Sequence, residues 1–252
     1  TQQIYLLDAN LQPFSTAKVR EVPVIFNELD DAYAVTSMGS FSPTDAASGM
    51  ILALPKNPQL QPKVLLDSLR RPVHTEFADL NQDGRFDLLI CEFAKWTGSL
   101  SWWENQGGGQ YEKHILRNMP GATKAYVQDM NGDEWPDVVA LFGQGDEGIF
   151  IFYNEGDGQF REERILQFPS SYGSSYFQLF DVDEDGHLDI LYTAGDNADM
   201  SPPPLKAYQG IRIFQNDGQN GFSESWFFPM PGAYKAIPAD FDADGDVDMA
   251  AI

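Results

Sequence analysis

Short apolar runs of three to five residues recur along the whole chain, and each is closed by a cluster of Asp, Asn, Gly or Pro. Such runs are strand-length, and the punctuation between them is turn chemistry. No stretch holds a helical period, which argues against a helical solenoid. Leu88–Ile90, Val138–Leu141, Ile190–Tyr192 and Met249–Ile252 are apolar without alternation, as strands covered on both faces are. Each follows a nine-residue Asp-rich segment. The first three are followed in turn by an aromatic segment ending in Asn and a Gly-rich turn: Ser101–Asn105, Phe150–Asn154 and Ile213–Asn216. A further strand comes after each turn, at Tyr111–Leu116, Phe160–Leu166 and Phe222–Phe228.

The Asp-rich segments align without gaps as Asp79–Asp87, Asp129–Asp137, Asp181–Asp189 and Asp240–Asp248, their starts 50, 52 and 59 residues apart. A repeat of this length with four strands, A to D, describes a β-propeller blade, which must stack on neighbours to bury its two faces. The Asp-rich loop falls at the A–B hairpin and the Gly turn at C–D. Full blades are expected at 71–118, 119–169 and 170–230. Residues 21–70 form a degenerate blade whose loop, Asn27–Asp31, is too short for a metal. Residues 1–20, with a turn at Asp8–Asn10, supply a C–D hairpin, and 231–252 an A–B hairpin with the fourth loop. The expectation is an all-β propeller of about five blade equivalents in a single domain 1–252. The two terminal hairpins then share a blade, or else the chain is a fragment of a larger propeller.

Charge adds to this picture. With 16 Lys and Arg against 38 Asp and Glu, the chain carries −22, which excludes nucleic acid and anionic lipid as partners. Many of these carboxylates crowd into the four loops, where they repel one another unless a cation joins them. Every loop has Asp or Asn at positions 1, 3 and 5 and Asp at 9: Asp79, Asn81, Asp83 and Asp87; Asp129, Asn131, Asp133 and Asp137; Asp181, Asp183, Asp185 and Asp189; Asp240, Asp242, Asp244 and Asp248. Hard oxygen donors of this kind suit Ca²⁺, whereas zinc and copper favour imidazole and thiolate, and Mg²⁺ resists a cage made wholly of protein oxygens. An EF-hand is excluded, because position 12 holds Ile90, Ala140, Tyr192 or Ala251 in place of the bidentate Glu. Loop two has Glu134 where the others have Gly, with Gly132 two places earlier. A non-glycine residue in a left-handed conformation costs about 1–2 kcal/mol, so this site is expected to be distorted or weaker.

The nine-residue loop closed by Asp and entering an apolar strand resembles the FG-GAP and VCBS repeats of integrin-α-like propellers and many secreted bacterial proteins. The resemblance covers about residues 72–252, and the first seventy only by inference. It implies side-chain calcium ligands at positions 1, 3, 5 and 9 and a backbone carbonyl at position 7, here Arg85, Trp135, His187 and Asp246. Up to four calcium ions are therefore expected, in a structural role. Extracellular modules bind Ca²⁺ at ~10⁻⁴–10⁻³ M, which implies a secreted, periplasmic or cell-surface location.

The lone Cys91 excludes an internal disulfide and reads as core. No segment resembles a signal peptide or a membrane span, so the chain reads as a mature or excised soluble domain. There is no nucleophile motif and no phosphate loop; Gly107–Gly109 belongs to a hairpin. The leading expectation is a non-enzymatic binding or adhesion module for a glycan or protein at the cell surface. A calcium-dependent polysaccharide lyase and a structural spacer in a larger protein are the alternatives. Trp96, Trp102 and Trp103 are candidates for sugar stacking, although at least one of the adjacent pair must face the core. His74, Lys124, Tyr176 and Lys235 each lie five residues before a loop, at the end of the innermost strand away from the metal loops. They are expected to surround one opening that takes a carboxylate or sulfate, with local pairing to Asp or Glu as the bland alternative.

Overall fold

The computed structural model describes residues 2–7, 11–19, 22–57, 59–156, 158–197 and 201–252. The turn at Asp8–Asn10 and Asp157 of the third C–D turn lie outside them. Among the described residues all regular structure is β. Four sheets have four strands each, antiparallel and in strict chain order. They are β3–β6 (Pro23–Glu28, Ala32–Ser37, Gly49–Pro55, Lys63–Leu69), β7–β10 (Pro72–Ala78, Asp87–Glu92, Ser99–Gly107, Gln110–Arg117), β11–β14 (Ala122–Gln128, Asp137–Phe142, Gly148–Asn154, Phe160–Gln167) and β15–β18 (Ser174–Phe180, Asp189–Ala194, Gly210–Asn216, Phe222–Pro229). Two-stranded sheets stand at either end of the sequence, β1–β2 (Gln2–Leu7, Pro13–Val19) and β19–β20 (Ala236–Ala239, Asp248–Ala251). These are propeller-like blades.

Within a sheet, burial falls from the middle strands to the last. Strands β8, β12 and β16 are buried at every position, whereas β10, β14 and β18 are exposed or half-buried at every position. The continuous apolar runs are therefore second strands, covered on both faces, and the charged fourth strands form the outer edges.

The chain divides into two compact units, Thr1–Ala125 and Tyr126–Ile252. In the first, Ile51, Leu66 and Leu69 pack against Leu88 and Ile90, joining the β3–β6 sheet to the β7–β10 sheet. Thr36 and Thr75 hydroxyls meet at 2.9 Å across the same junction, and Asn27 Nδ2 donates to the Thr75 carbonyl at 3.2 Å. In the second, Val139, Leu141, Ile149, Ile151 and Tyr153 pack on Phe177, Ile190 and Tyr192. Leu191 and Ile211 pack on Ala233 and Ala236 before β19 and in it.

Antiparallel order fixes where the loops emerge. Connections from first to second and third to fourth strand leave one end of a sheet, and the remaining connections leave the other end. The Asp-rich loops and the Gly turns thus share an end, set apart from the second-to-third connections.

Candidate metal centres

All four loops bend at the same two positions. Position 4 has positive φ in each, at Gln82 (57°), Gly132 (76°), Glu184 (60°) and Ala243 (62°). Position 6 does too, at Gly84 (84°), Glu134 (70°), Gly186 (92°) and Gly245 (95°). Each loop therefore carries one glycine and one residue with a Cβ in left-handed backbone. The expectation that Glu134 singles out the second loop for strain is corrected: that loop has its glycine at position 4, and the other three bear the Cβ cost there instead.

Position 1 draws the loop together. Asp79 accepts from Asp83 N at 3.0 Å and Gly84 N at 2.8 Å. Asp129 accepts from Gly132 N at 2.7 Å and Glu134 N at 2.9 Å. Asp181 accepts from Asp185 N at 3.2 Å and Gly186 N at 2.9 Å, and Asp240 from Gly245 N at 3.1 Å. Position 5 accepts the position 7 N–H in every loop: Arg85 to Asp83 at 2.9 Å, Trp135 to Asp133 at 2.8 Å, His187 to Asp185 at 2.8 Å and Asp246 to Asp244 at 3.1 Å.

Position 9 is the keystone. Asp87, Asp137 and Asp189 are almost fully buried. One carboxylate oxygen takes the position 2 N–H, from Leu80 (3.2 Å), Met130 (2.9 Å) and Val182 (2.9 Å). The other takes the N–H of the Asn at or near the end of the third strand, Asn105, Asn154 or Asn216, at 2.8 Å in all three. That Asn donates its amide to the position 8 carbonyl, of Phe86, Pro136 or Leu188. It also accepts from Gly107, Gly156 or Gly218 in the adjoining turn, so the Asp-rich loop and the Gly turn are fastened together. The recurrent Asn was visible in the sequence, but this clamp was not foreseen. Burial raises the Asp87, Asp137 and Asp189 carboxyls above the usual range, with the backbone donors pulling back and neighbouring loop carboxylates pushing further.

The donor geometry fits a hard cation. In the third loop, carboxylate oxygens of Asp181, Asp183 and Asp189 lie within 4.8 Å of one another, and Asp240, Asp242 and Asp248 do the same in the fourth. Oxygens so spaced can share one ion at Ca²⁺–O distances of about 2.3–2.6 Å. In the first two loops position 3 is an amide, and it is held at both ends: Asn81 Nδ2 donates to Asp83 (3.2 Å) and Asn131 Nδ2 to Asp133 (2.9 Å), while the amide oxygens accept the Asp83 N–H (3.3 Å) and the Asp133 N–H (3.0 Å). Asn81 also donates to Glu104 at 3.0 Å, and Glu104 in turn meets His114 at 3.0 Å. At the matching place before the strand-end Asn, Gln215 donates to Asp183 at 2.9 Å, whereas Tyr153 accepts from Asn220 at 3.1 Å instead. Glu104 and Gln215 escaped sequence reasoning, because nothing in their spacing marks them as neighbours of position 3.

The ligand candidates fall into two pairs, one in each unit. His74 is buried, its Nε2 2.9 Å from the Ala125 carbonyl and 3.5 Å from Glu76. Lys124 is half-buried, with its charge acting on the buried Cys91, whose thiol is pushed far up by burial and drawn back slightly by that lysine. In the other unit, the Lys235 ammonium sits 5.0 Å from the Tyr176 ring centroid. Of the tryptophans, Trp102 is core and stacks on His114 at 4.5 Å while donating to Asp87 at 2.9 Å. Trp103 is half-buried and Trp96 is exposed.

Residues 79–140 and 129–192 match the model of the FG-GAP-like repeat. No curated protein matches the sequence. Among solved structures, the chain is similar to the V. cholerae biofilm matrix protein Bap1, with 17% identity and a TM-score of 0.49 over 87% of this chain. It spans 30% of that protein's length.

Proposed function

We propose that this chain of FG-GAP-like repeats is a calcium-stabilised extracytoplasmic module that binds a glycan or protein ligand and carries no catalytic activity of its own. The observation that supports it best is the convergence of Asp181, Asp183 and Asp189, and of Asp240, Asp242 and Asp248, on single points in loops built alike. Calcium would take the side chains at positions 1, 3, 5 and 9 and the carbonyls of Arg85, Trp135, His187 and Asp246. Its charge would relieve the repulsion among the loop carboxylates and tie first strand to second. Loops of millimolar affinity are filled outside the cytoplasm, which favours a secreted, periplasmic or surface location. Binding is then left to the loops at the opposite end of the sheets, where sequence and length vary on a rigid support.

The test is incubation of the calcium-loaded protein with an array of neutral and acidic glycans and with soluble uronate polymers. Retention should be lost after chelation, and no unsaturated sugar product should form. Accumulation of unsaturated product would replace this reading with a polysaccharide lyase. Retention of nothing, with or without calcium, would leave a spacer.

A further inference from the structure

In the first unit, the end of the sheets away from the metal loops carries an exposed aromatic side chain on a clamped loop. Residues 93–98 join β8 to β9, and residues 38–48 join β4 to β5. A single oxygen of Asp45 accepts the backbone N–H groups of Lys95 (3.1 Å), Trp96 (2.7 Å) and Thr97 (3.0 Å), together with the Thr97 hydroxyl (3.0 Å). A loop held by four donors on one carboxylate oxygen is fixed, yet the Trp96 side chain it presents is 71% exposed. Ala94, two residues before Trp96, has φ 48°, and Arg71 in the nearby β6–β7 turn has φ 50°.

The charge at this end runs against the rest of the molecule. The Lys95 ammonium lies 5.5 Å from the Trp96 ring centroid. Arg70 Nη1 reaches the Thr97 carbonyl at 3.4 Å, and Arg71 Nη2 holds the Phe41 carbonyl at 2.9 Å. Nearby carboxylates are engaged: Asp45 by the loop, and Glu92 by Lys113, Ser99 and the Arg70 backbone. Among the described residues, neither Arg70 nor Arg71 takes part in an ion pair with a carboxylate. Lys95 over the exposed indole and Arg70 on the adjoining Thr97 carbonyl, in a chain of net charge −22, are complementary to an anion with an apolar face.

We propose that Trp96, with Lys95 and Arg70, binds an acidic saccharide: the pyranose ring stacks on the indole, and its carboxylate or sulfate meets the two cations. Asp45 and Arg71 are positioning residues that hold the loops. This deepens the binding-module reading and rests on it. It also moves the anion site away from His74, Lys124, Tyr176 and Lys235.

The test uses the protein in millimolar calcium, with short oligouronates and their carboxyl-reduced neutral counterparts in the same buffer, read by calorimetry. Trp96→Ala should weaken oligouronate binding by roughly tenfold or more, and Trp96→Phe should recover part of it. Arg70→Ala with Lys95→Ala should weaken the acidic ligand only and flatten its salt dependence. Asp45→Ala should weaken it as well, and calcium-dependent melting should be unchanged in the Trp96 and Arg70/Lys95 variants. Equal binding of acidic and neutral oligomers, or acidic binding indifferent to Trp96→Ala, would overturn the site while leaving a glycan-binding module in place. If the oligouronates are not bound but a protein is captured through Trp96, the saccharide proposal is also overturned. Failure of the wild type on every glycan and protein tested would remove the module reading itself.

Discussion

The second and third Asp-rich loops reach one fold from different residues. In Asp129–Asp137 the glycine stands at position 4 and Glu134 takes the second left-handed place; in Asp181–Asp189, Glu184 takes the first and Gly186 the second. Their anchors differ as well. The third loop is braced from within its own blade by Gln215 on Asp183, whereas the second is held from the next blade, where Asn220 donates to the Met130 carbonyl at 2.7 Å. What stays constant is the buried Asp at position 9 and its two backbone donors. The comparison separates two jobs: position 9 with the Asn near the end of the third strand builds the loop, and positions 1, 3 and 5 are the ones that, on the calcium proposal, would set how a cation is held.

Removing the builder should have the largest effect. Asp189→Ala strips the Val182 and Asn216 N–H groups of their acceptor in a buried place, and each unsatisfied group costs about 1–3 kcal/mol. Urea unfolding in EDTA should therefore show a loss of about 2–5 kcal/mol, with Asp137→Ala alike, while the exposed Asp185→Ala loses less than about 1 kcal/mol. Equal losses at positions 5 and 9 would break the division of labour.

Calcium affinity should reverse that order of importance. The third loop offers four carboxylates and the second offers three with Asn131, so Asp185→Ala should cost more affinity than Asp133→Ala, and the third site should outlast the second under chelation. Gln215→Ala should weaken the third site without lowering stability in EDTA. A calcium titration showing the second site as the tighter would contradict the charge argument.

The backbone exchange predicts smaller shifts. Glu134→Gly should raise stability by up to about 1 kcal/mol, and Gly132→Ala should lower it by a similar amount, both read from melting in EDTA. A large gain from Glu134→Gly, well above what Glu184→Gly gives, would restore Glu134 as a special defect.

The smallest effect is on pH dependence, and it belongs to the other end of the sheets. Backbone N–H donation from Trp96, then Thr97 and Lys95, outweighs desolvation and lowers the Asp45 carboxyl from 3.8 to about 2. A lowered carboxyl contributes stability that is complete above its unfolded value and is lost as pH falls through the folded one. The Asp45 resonance should thus titrate near pH 2, and Asp45→Ala should remove that part of the acid-induced loss. Titration at the ordinary value would mean that the Trp96 loop is not clamped.

Much of the fold could be read from the repeat. Continuous apolar runs announced the doubly covered second strands, and the Asp-rich loops and Asn-Gly turns marked the hairpins, because these signals are local and recur in phase. The position of the Asp-rich loops was legible for the same reason. What the sequence hid depends on contacts between distant residues. Asp45 and Trp96 are 51 positions apart and meet only through neighbouring sheets. Gln215 reaches Asp183 across 32 residues. The Glu134 expectation went astray because one position of the loop was considered, and its left-handed partner at position 4 was not.

The claim on which the rest depends is that the four loops are calcium sites of the folded state. Ligands that bind only the native form raise its stability by mass action, about 2.7 kcal/mol for one site at a hundredfold excess over Kd. Calorimetric titration of the chelated protein with calcium, followed by melting at each step, tests this directly. The account predicts saturable binding of up to four ions with a Tm that climbs as they fill, and loss of one ion for each loop in which positions 1 and 3 are both replaced by Ala. Absence of calcium uptake, with the same Tm in EDTA and in millimolar calcium, would contradict it.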